Sequence, residues 1–498
     1  MAEFAQVTAS LVEELKAIVG ERNVMHDDAR QLETYAGDEA GKLYARRPDV
    51  VVKPDSQTEI CEILRLANRE RIPVTPRGAG SGLAGGAVPV AGGIVLALER
   101  MNRVLEIDTV NRIAVVEPGV VTNDLCLAVA EEGLFYAGYP MSVESSFIGG
   151  NVACNAGGAK VVKYGATRAH VLGLEVVLPS GETVHVGGKR RKDASGYDLL
   201  HLFVGSEGTL GVFTKIYLNL IPKPEHVVDL LVPFPSVETA IEAVPKLMIA
   251  SRSLPAAVEF IDSPSVRHCC AYANTTLPLQ SEAGAYLILQ LDGRTKAEIQ
   301  DVYEAAGGAC LENGALEVFV ADTPFASERI WGARRNWLEA LKAVDPCVSS
   351  GDFVVPVSEI PQMMTFIAHL SREYGVEIPC AGHGADGNVH PAPLRPDKLT
   401  PEEWKEVAEE ILARIAVEAA KRGGAVSGEH GIGFIKQELL QQTKASEVEL
   451  MKRIKSTLDP NGILNPGKLF GAVAPRTGGG PSASESWVPA SDLPSPME

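Results

Sequence analysis

Three clusters of glycine restrict the fold of this chain more than any other feature of its sequence. The first, PRGAGSGLAGG at 76–86, stands between two segments that are typical of strands, IPVTPRG and GIVLALE. Because glycine has no Cβ, backbone N–H groups in such a loop can converge on an anion. The loop therefore predicts a cradle for a diphosphate, and a flexible loop without a ligand is the alternative. Two further clusters follow, SSFIGGNVACNAGG at 145–158 and LLHLFVGSEGTLGVFT at 199–214.

The first cluster fits neither of two familiar phosphate-binding loops. A Rossmann fingerprint requires a helix directly after the glycines and an acidic residue about 20 positions later, whereas the strand-like GIVLALE follows here. A P-loop ends in Gly-Lys-Ser or Gly-Lys-Thr, whereas this loop ends in Gly85-Gly86-Ala87. The predicted cradle therefore belongs to another class of nucleotide-binding domain.

Length, charge and cysteine content limit the class of protein. The length of 498 residues predicts about three domains. The net charge of −18 opposes binding to nucleic acid, and the short basic cluster at 189–192 is expected to be an exposed loop. The eight cysteines have no CxxC spacing, which argues against an iron–sulfur cluster or a thiolate zinc site. We expect a cytoplasmic protein with no transmembrane segment, either soluble or held peripherally at the inner face of the membrane by a partner.

The order of the predicted elements divides the chain into four regions. An amphipathic helix near the N-terminus is followed by a strand–helix–strand unit and then by segments typical of strands, and together these form the region of residues 1–221. Helices and strands are mixed in 222–424, after the breaker PKPEH. A C-terminal segment, 425–471, closes the ordered chain. The tail 472–498 is expected to be disordered, because Pro, Ser and Gly make up 13 of its 27 residues.

Two loops with unusual histidines predict a metal site. In CAGHGADGNVHP, at 380–391, Asp386-Gly387 is a typical two-residue hairpin turn. Such a turn would place His383 directly opposite His390, with Cβ atoms about 5 Å apart, so that the two imidazoles form half of a metal site. The alternative is that both are hydrogen-bonded polar residues of an ordinary turn.

The second loop, GGAVSGEHGIG at 423–433, can complete this site. Glu429 would supply the third ligand, and two histidines with one carboxylate leave positions open for water or substrate, as in catalytic sites. Zinc, manganese and iron(II) all accept such ligands. His430 would then stand beside the metal-bound substrate.

Five motifs in a fixed order resemble the vanillyl-alcohol-oxidase-type flavoproteins, and among them the D-lactate, glycolate and D-2-hydroxyglutarate dehydrogenases. They are PRGAGSGL, EPGV, IGGNVACNAGG, KYGATRAHVLGLEVVLPSG and VGSEGTLGV. The resemblance implies an α+β fold in which a two-part FAD-binding domain of the vanillyl-alcohol-oxidase type, residues 1–221, carries an α+β cap domain for the substrate, residues 222–424. It also implies that 425–471 complete the active site and the flavin site.

The resemblance further implies which residues surround the FAD. Members that attach the flavin covalently through the first glycine loop carry a histidine where this sequence has Ser81, so the FAD is expected to be noncovalent. The expected contacts are Arg77, Gly78, Gly80, Ser81 and Gly82 around the pyrophosphate, Pro140, Gly149, Gly150, Asn155 and Gly157 along the flavin and ribityl chain, and Glu207, Gly211 and Val212 near the adenosine half.

The same resemblance implies roles for the polar residues. The family's histidine and GEHG motifs supply the metal ligands and the base, which here are His383, His390 and Glu429 as ligands and His430 as base. Arg334 matches the arginine that binds the substrate carboxylate.

Ser350 stands where members that oxidise 2-hydroxyglutarate carry a lysine for the distal carboxylate. This difference favours a substrate with one carboxylate.

We therefore predict an FAD-dependent, metal-assisted dehydrogenase of a small D-2-hydroxyacid, most of all D-lactate, which would be oxidised to pyruvate by hydride transfer to flavin N5. His430 would be the general base, and Arg334 would orient the carboxylate. A glycolate dehydrogenase flavin subunit of a multi-subunit complex is the alternative among enzymes. An electron-transfer flavoprotein subunit without its own substrate is the alternative from another class. The electron acceptor would be a quinone, an iron–sulfur subunit or an electron-transferring flavoprotein.

Overall fold

The computed structural model describes residues 4–471, so the tail predicted to be disordered lies outside the described residues. None of the helices in this range is long and apolar enough to span a membrane.

Short 3₁₀ turns occur at Glu21–Asn23, Lys42–Tyr44, Thr167–His170 and Val357–Glu359. The α-helices are α1 (Ala9–Val19), α2 (Ala29–Glu33), α3 (Gln57–Glu70), α4 (Thr122–Glu131), α5 (Ile148–Cys154), α6 (Val161–Tyr164), α7 (Leu200–Phe203), α8 (Val237–Ser251), α9 (Ser263–Tyr272), α10 (Lys296–Glu312), α11 (Pro324–Arg335), α12 (Trp337–Val344), α13 (Ile360–Tyr374), α14 (Pro401–Lys421), α15 (Gln437–Thr443) and α16 (Ala445–Leu458).

The first half of the chain forms two larger sheets and one two-stranded ribbon. The strands are β1 (Val24–Met25), β2 (Val50–Val52), β3 (Val74–Arg77), β4 (Ile94–Ala97), β5 (Val104–Asp108), β6 (Ile113–Val116), β7 (Leu134–Phe135), β8 (Val171–Val177), β9 (Thr183–Gly187), β10 (Val212–Asn219) and β11 (Ile221–Pro222). The four-stranded sheet has the order β1-β2-β4-β3, and β2 and β3 both run parallel to β4. The five-stranded sheet is antiparallel, with the order β5-β6-β10-β8-β9, and β7 pairs with β11.

The predicted strand–helix–strand unit is confirmed as β2, α3 and β3, with β4 lying between the two strands. Ser56 begins α3 by accepting a hydrogen bond from the backbone N–H of Glu59. Ile60, Ile63, Leu64 and Ala67, which recur at helical spacing, are buried in the core of the four-stranded sheet. The first glycine cluster begins with the last two residues of β3, Pro76 and Arg77, so the sheet holds this loop in place.

The second half of the chain forms a seven-stranded antiparallel sheet with helices on both faces. Its order is β15-β12-β14-β13-β17-β18-β16. Helices α8, α10, α13 and α14 cover one face, and α9, α11 and α12 cover the other. The strands are β12 (His226–Phe234), β13 (Ala257–Asp262), β14 (Ala285–Gly293), β15 (Phe319–Ala321), β16 (Phe353–Val354), β17 (Cys380–His383) and β18 (Asn388–Pro391).

The C-terminal segment returns from the seven-stranded sheet to the first half of the chain. Ala425 forms a bridge with Val354 at the edge of that sheet. Further along, Ile454 and Leu458 of α16 pack against the core of the five-stranded sheet, and Leu464 pairs with Val74 of β3. The residues between these contacts therefore lie where the two halves of the chain meet.

Candidate active site

A cavity of about 670 Å³ lies between the glycine clusters and the helices α11 and α12. Arg334, His390, Glu429 and His430 also line it. The cavity thus brings most of the predicted cofactor residues next to four of the predicted metal-binding and catalytic residues, whereas the fifth, His383, is not among the residues that line it. Of the cofactor residues predicted from the sequence, those that line the cavity are Arg77, Gly78, Gly80, Ser81, Gly82, Pro140, Gly149, Gly150, Gly157, Glu207, Gly211 and Val212.

Asn155 is the predicted cofactor residue that does not line the cavity. It ends α5 in the left-handed conformation, with φ of +53°. Its side-chain oxygen accepts a hydrogen bond from the backbone N–H of Arg168 at 2.9 Å. The side chain therefore ties the second glycine cluster to the backbone at Arg168.

The walls of the cavity fit a dinucleotide diphosphate. A Cβ on Gly80 would collide with the guanidinium of Arg77, which is itself buried and donates to the carbonyl of Gly37 at 2.6 Å. At Gly86 and Gly150 a Cβ would meet no atom within 4 Å, so these backbones border open space. A pyrophosphate can approach the backbone closely where there are no side chains, and the buried guanidinium of Arg77 supplies a positive charge beside it.

The histidine hairpin forms, but with a register different from the predicted one. His383 pairs with Asn388, and His390 pairs with Ala381, so the predicted direct opposition of His383 and His390 is wrong. A two-residue turn of the expected type needs positive φ at both central positions, and of the pair only Gly387 has it, at +91°. Asp386 instead accepts a hydrogen bond from the backbone N–H of Asn388 at 3.2 Å, and the connection spans four residues, 384–387.

The two imidazoles nevertheless meet, because His383 and His390 are diagonal neighbours on the same face of the hairpin. Their ring centroids are 5.4 Å apart. Oε1 of Glu429 lies 3.3 Å from Nε2 of His383 and 3.4 Å from Nε2 of His390. These three groups can therefore hold one metal ion, and all of the ligand atoms lie within 4.8 Å of one another.

The other nitrogen of each imidazole is held from behind. Nδ1 of His383 lies 2.5 Å from Oε1 of Glu259, and Nδ1 of His390 lies 3.2 Å from the carbonyl oxygen of Gly351. A carboxylate or carbonyl behind the imidazole is the usual support of a metal-binding histidine, because it fixes the tautomer and the ring orientation. Burial lowers the pKa of His383, but Glu259 and Glu429 outweigh burial and hold this pKa well above its usual value.

His430 lies beside this cluster and is uncharged at neutral pH. Its ring stacks on His390, with centroids 5.2 Å apart and planes inclined by 11°. Burial lowers the pKa of His430 to about 4, although Asp352 acts in the opposite direction. Nε2 lies 3.8 Å from Oε1 of Glu429, and Nδ1 forms no hydrogen bond with any residue in 4–471. A neutral imidazole at this position can accept a proton.

Arg334 lies near the C-terminal end of α11 and is 5% exposed. Its Nη2 atom lies 2.8 Å from Oε2 of Glu259, which is 0% exposed and belongs to the central strand β13. The 2.8 Å contact is an ion pair without hydrogen-bond alignment, since Oε2 accepts no hydrogen bond from the described residues. Glu259 thus contacts the predicted carboxylate-binding group with one oxygen and a predicted metal ligand with the other.

Asp352 organises the loop that carries Glu429 and His430. The residue is 0% exposed. Its Oδ2 atom accepts hydrogen bonds from the backbone N–H of His430 at 2.9 Å, from that of Gly428 at 3.0 Å and from the hydroxyl of Ser427 at 2.6 Å. Lys436 adds a cation 3.3 Å away. Burial opposes the charged form of Asp352, but His430, Lys436 and the donors hold its pKa well below the usual value.

Neither Glu259 nor Asp352 was predicted from the sequence to be part of the site. Glu259 stands in AAVEFI, a single carboxylate within an apolar segment, and Asp352 stands directly before the apolar FVVP. A charge in a segment that is otherwise typical of a buried strand predicts a paired carboxylate. That signal was present, but it does not identify the partner.

Two domain families match the chain. Residues 48–187 match the FAD binding domain, and residues 223–469 match the C-terminal domain of FAD linked oxidases. Glycolate oxidase subunit GlcD of Bacillus subtilis is 39% identical over 93% of this chain and 97% of its own length. D-lactate dehydrogenase of Anaerostipes hadrus is 36% identical over 94% of this chain and 98% of its own length.

Solved structures show the same fold at lower identity. 4-Ethylphenol oxidase from Gulosibacter chungangensis superposes with a TM-score of 0.76 and 21% identity, over 94% of this chain and 98% of that one. p-Cresol methylhydroxylase superposes with a TM-score of 0.76 and 19% identity, again over 94% of this chain and 98% of that one. The predicted α+β fold of the vanillyl-alcohol-oxidase type is confirmed. This chain therefore belongs to the family of FAD-dependent D-lactate and glycolate dehydrogenases, and is an FAD-dependent oxidoreductase.

Proposed function

We propose that this chain oxidises a small D-2-hydroxyacid, with D-lactate as the first candidate, with the help of a divalent metal ion. The observation that supports this most is that two supported imidazoles and one carboxylate converge, and that two of these groups, His390 and Glu429, line the glycine-walled cavity together with the buried Arg334. A subunit that only relays electrons needs no such open metal site. The names of the relatives, D-lactate dehydrogenase and glycolate oxidase subunit, agree with the proposed substrates.

The residues proposed to hold the metal are His383, His390 and Glu429. When bound, the metal would polarise the substrate hydroxyl and the FAD would accept the hydride of the α-carbon. The glycine clusters would hold the FAD, with Arg77 near the diphosphate. No histidine takes the place of Ser81, so we propose that the FAD is held without a covalent bond.

Arg334 would bind the substrate carboxylate. Its guanidinium is buried and offers paired N–H donors that match a carboxylate. Glu259 restrains this guanidinium from one side, so that Arg334 orients the substrate instead of sampling many rotamers. Ser350 also lines the cavity and offers no positive charge to a second carboxylate, which favours a monocarboxylate.

His430 would take up the hydroxyl proton. Its imidazole is neutral because burial lowers its pKa to about 4. The Nε2 atom of His430 lies 3.8 Å from Oε1 of the proposed metal ligand Glu429. Nε2 is therefore the nitrogen that would receive the proton. The substrate then loses a proton from oxygen and a hydride from carbon, and leaves as a 2-oxoacid such as pyruvate.

Glycolate is the second candidate substrate, because the relative at 39% identity is named a glycolate oxidase subunit. Glycolate differs from D-lactate by one methyl group, and a methyl group in a pocket changes kcat/KM by roughly tenfold or more. Electrons would pass on from the flavin to a quinone, an iron–sulfur subunit or an electron-transferring flavoprotein.

Anaerobic reduction of the bound flavin tests the proposed substrate class. D-lactate, L-lactate, glycolate and D-2-hydroxyglutarate are each mixed with the FAD-loaded, metal-loaded protein, and flavin absorbance is followed. We expect rapid bleaching with D-lactate and little with L-lactate or D-2-hydroxyglutarate. Faster bleaching with glycolate would favour the second candidate, and no bleaching with any of the four acids would contradict the proposal.

A further inference from the structure

We propose that Glu207 and Asp352 are positioning residues which together hold the backbone of the 428–433 loop, and thereby place Glu429 and His430 against the cavity. The two carboxylates come from different halves of the chain. Glu207 lies in the third glycine cluster before β10, and Asp352 lies directly before β16 of the seven-stranded sheet. Only the expected effect on flavin reduction rests on the proposed function, whereas the hydrogen bonds to the loop do not depend on it.

The two acids divide the N–H groups of the loop between them. Asp352 accepts from Gly428, Glu429 and His430, at distances of 2.9 to 3.2 Å. Glu207 accepts from Ile432 with Oε1 and from Gly433 with Oε2, at 2.7 Å in each case. One carboxylate therefore holds the first half of the loop, and the other holds the second half.

These N–H groups have no other partner in the described region of the chain. The loop lies between α14 and α15, outside every helix and strand, and none of the five groups donates to a backbone carbonyl within 4–471. Ile432 and Gly433 are buried, and a buried N–H group without an acceptor costs free energy comparable to a lost hydrogen bond. The two carboxylates thus replace the secondary structure that the loop lacks.

The loop closes tightly around Glu207. Gly431 has φ of +78°, and a Cβ there would lie 2.8 Å from Oε1 of Glu207 and 3.1 Å from Sγ of Cys154. Cys154 in turn contacts the carbonyl oxygen of Glu429 at 3.3 Å. The curl that lets the adjacent residues Glu429 and His430 both reach the cavity is therefore built around the two carboxylates.

This arrangement gives Glu207 a role other than a direct contact with the FAD. Both of its oxygens accept from the loop, although the residue lines the cavity. A displacement of about 1 Å at a reacting group can cost 100-fold in rate. Loss of the Glu207 contacts is therefore expected to slow flavin reduction while the substrate still binds.

Hydrogen exchange of the holoenzyme tests the inference directly. In Glu207→Gln one carboxylate oxygen is replaced by an NH₂ group, which is a donor and cannot accept a hydrogen bond from a backbone N–H group. One of the two contacts with the loop is therefore lost. We expect the amide that loses its acceptor, at 432 or 433, to exchange about tenfold faster, as for a lost hydrogen bond to a charged group. In Asp352→Asn the faster exchange is expected at 428–430 instead. Glu175→Gln and Asp345→Asn, which change buried carboxylates away from the cavity, serve as controls and should leave the loop protected.

Two further measurements separate positioning of the loop from other roles. Titration with Mn²⁺ should show roughly 10- to 100-fold weaker binding in Asp352→Asn, the usual effect of losing a group that supports a metal ligand. Glu207→Gln should keep its FAD and lower kcat of flavin reduction by about 10- to 100-fold, with KM changed by less than about threefold, because the misplacement acts on the transition state. Glu207→Asp, which keeps the charge but withdraws it by one methylene, should fall between the wild type and Glu207→Gln.

Three results would overturn the inference. One is unchanged exchange of 432 and 433 in Glu207→Gln, whether or not the FAD is retained. Another is a Glu207→Gln enzyme with faster exchange but wild-type kcat. The third is the failure of both Glu207 variants to fold, which would assign Glu207 to the fold alone. If wild-type flavin is not reduced by any hydroxyacid, the proposed function fails, and hydrogen exchange and Mn²⁺ binding still decide whether the carboxylates hold the loop.

Discussion

Glu259 lies 2.5 Å from Nδ1 of His383 and touches Arg334 with its second oxygen, so one buried carboxylate joins the proposed metal site to the proposed substrate site. Glu259 is 0% exposed, and its strand β13 lies next to β17, which carries His383. A charge in the middle of a sheet is costly unless it is paired. Here the carboxylate has partners on both oxygens, and it fixes the relative position of the two groups.

Replacement of Glu259 with Gln is expected to weaken metal binding. The amide cannot accept from Nδ1–H with the same strength, so the orientation and basicity of His383 change, and such changes typically cost 10–100-fold in metal affinity. Titration with Zn²⁺ or Mn²⁺ measures the loss, with Glu175→Gln as the matched control. Wild-type metal affinity in Glu259→Gln would show that Glu259 does not support His383.

Replacement of His383 or His390 with Ala should remove the metal and abolish oxidation of hydroxyacids. FAD should stay bound, because the glycine clusters that line its cavity lie in the other half of the chain. Metal analysis and the flavin absorbance spectrum of the purified variants check both expectations. If either variant lost flavin and fold together with the metal, the histidine pair would have a structural role instead.

Release of the cofactor tests the noncovalent attachment proposed from Ser81. Acid or heat should liberate intact FAD and leave a colourless precipitate. Chromatography of the supernatant identifies the flavin. Colour that remains on the polypeptide, or release of FMN, would contradict the prediction.

The histidine hairpin shows how far the sequence could predict the site. Asp386-Gly387 predicted the hairpin and the meeting of His383 with His390, and both are present. The register was wrong because a turn dipeptide does not determine loop length. Asp386 adopts a conformation without positive φ, and its side chain instead accepts the N–H of Asn388.

The buried acids show what the sequence alone could not supply. Glu259 and Asp352 are far from the histidine loops in sequence, and each acts through a contact between distant segments. Local spacing predicts groups within one hairpin or one helix, whereas these contacts depend on how the seven-stranded sheet is assembled. The glycine clusters were easier to interpret, since their residue type alone predicts close contact with a ligand.

The pH dependence follows from the environment of His430. Because burial lowers its pKa from 6.5 to about 4, the neutral form that can accept a proton persists to lower pH than for an exposed histidine. In metal-saturated enzyme, kcat/KM for D-lactate should stay nearly constant between about pH 7 and pH 5.5 and fall only closer to pH 4. An acid limb centred near 6.5, with metal content unchanged, would contradict this assignment.

Stopped-flow reduction of the FAD by D-lactate, in wild type and in His430→Asn, tests the central claim most directly. We predict that His430→Asn keeps its metal and its FAD but reduces the flavin roughly 10²- to 10⁴-fold more slowly, the usual contribution of a positioned general base. The loss should be equal in kcat and in kcat/KM, since the proton moves only in the transition state. Near-normal flavin reduction in a metal-loaded His430→Asn enzyme would contradict the account, as would loss of the metal in that variant.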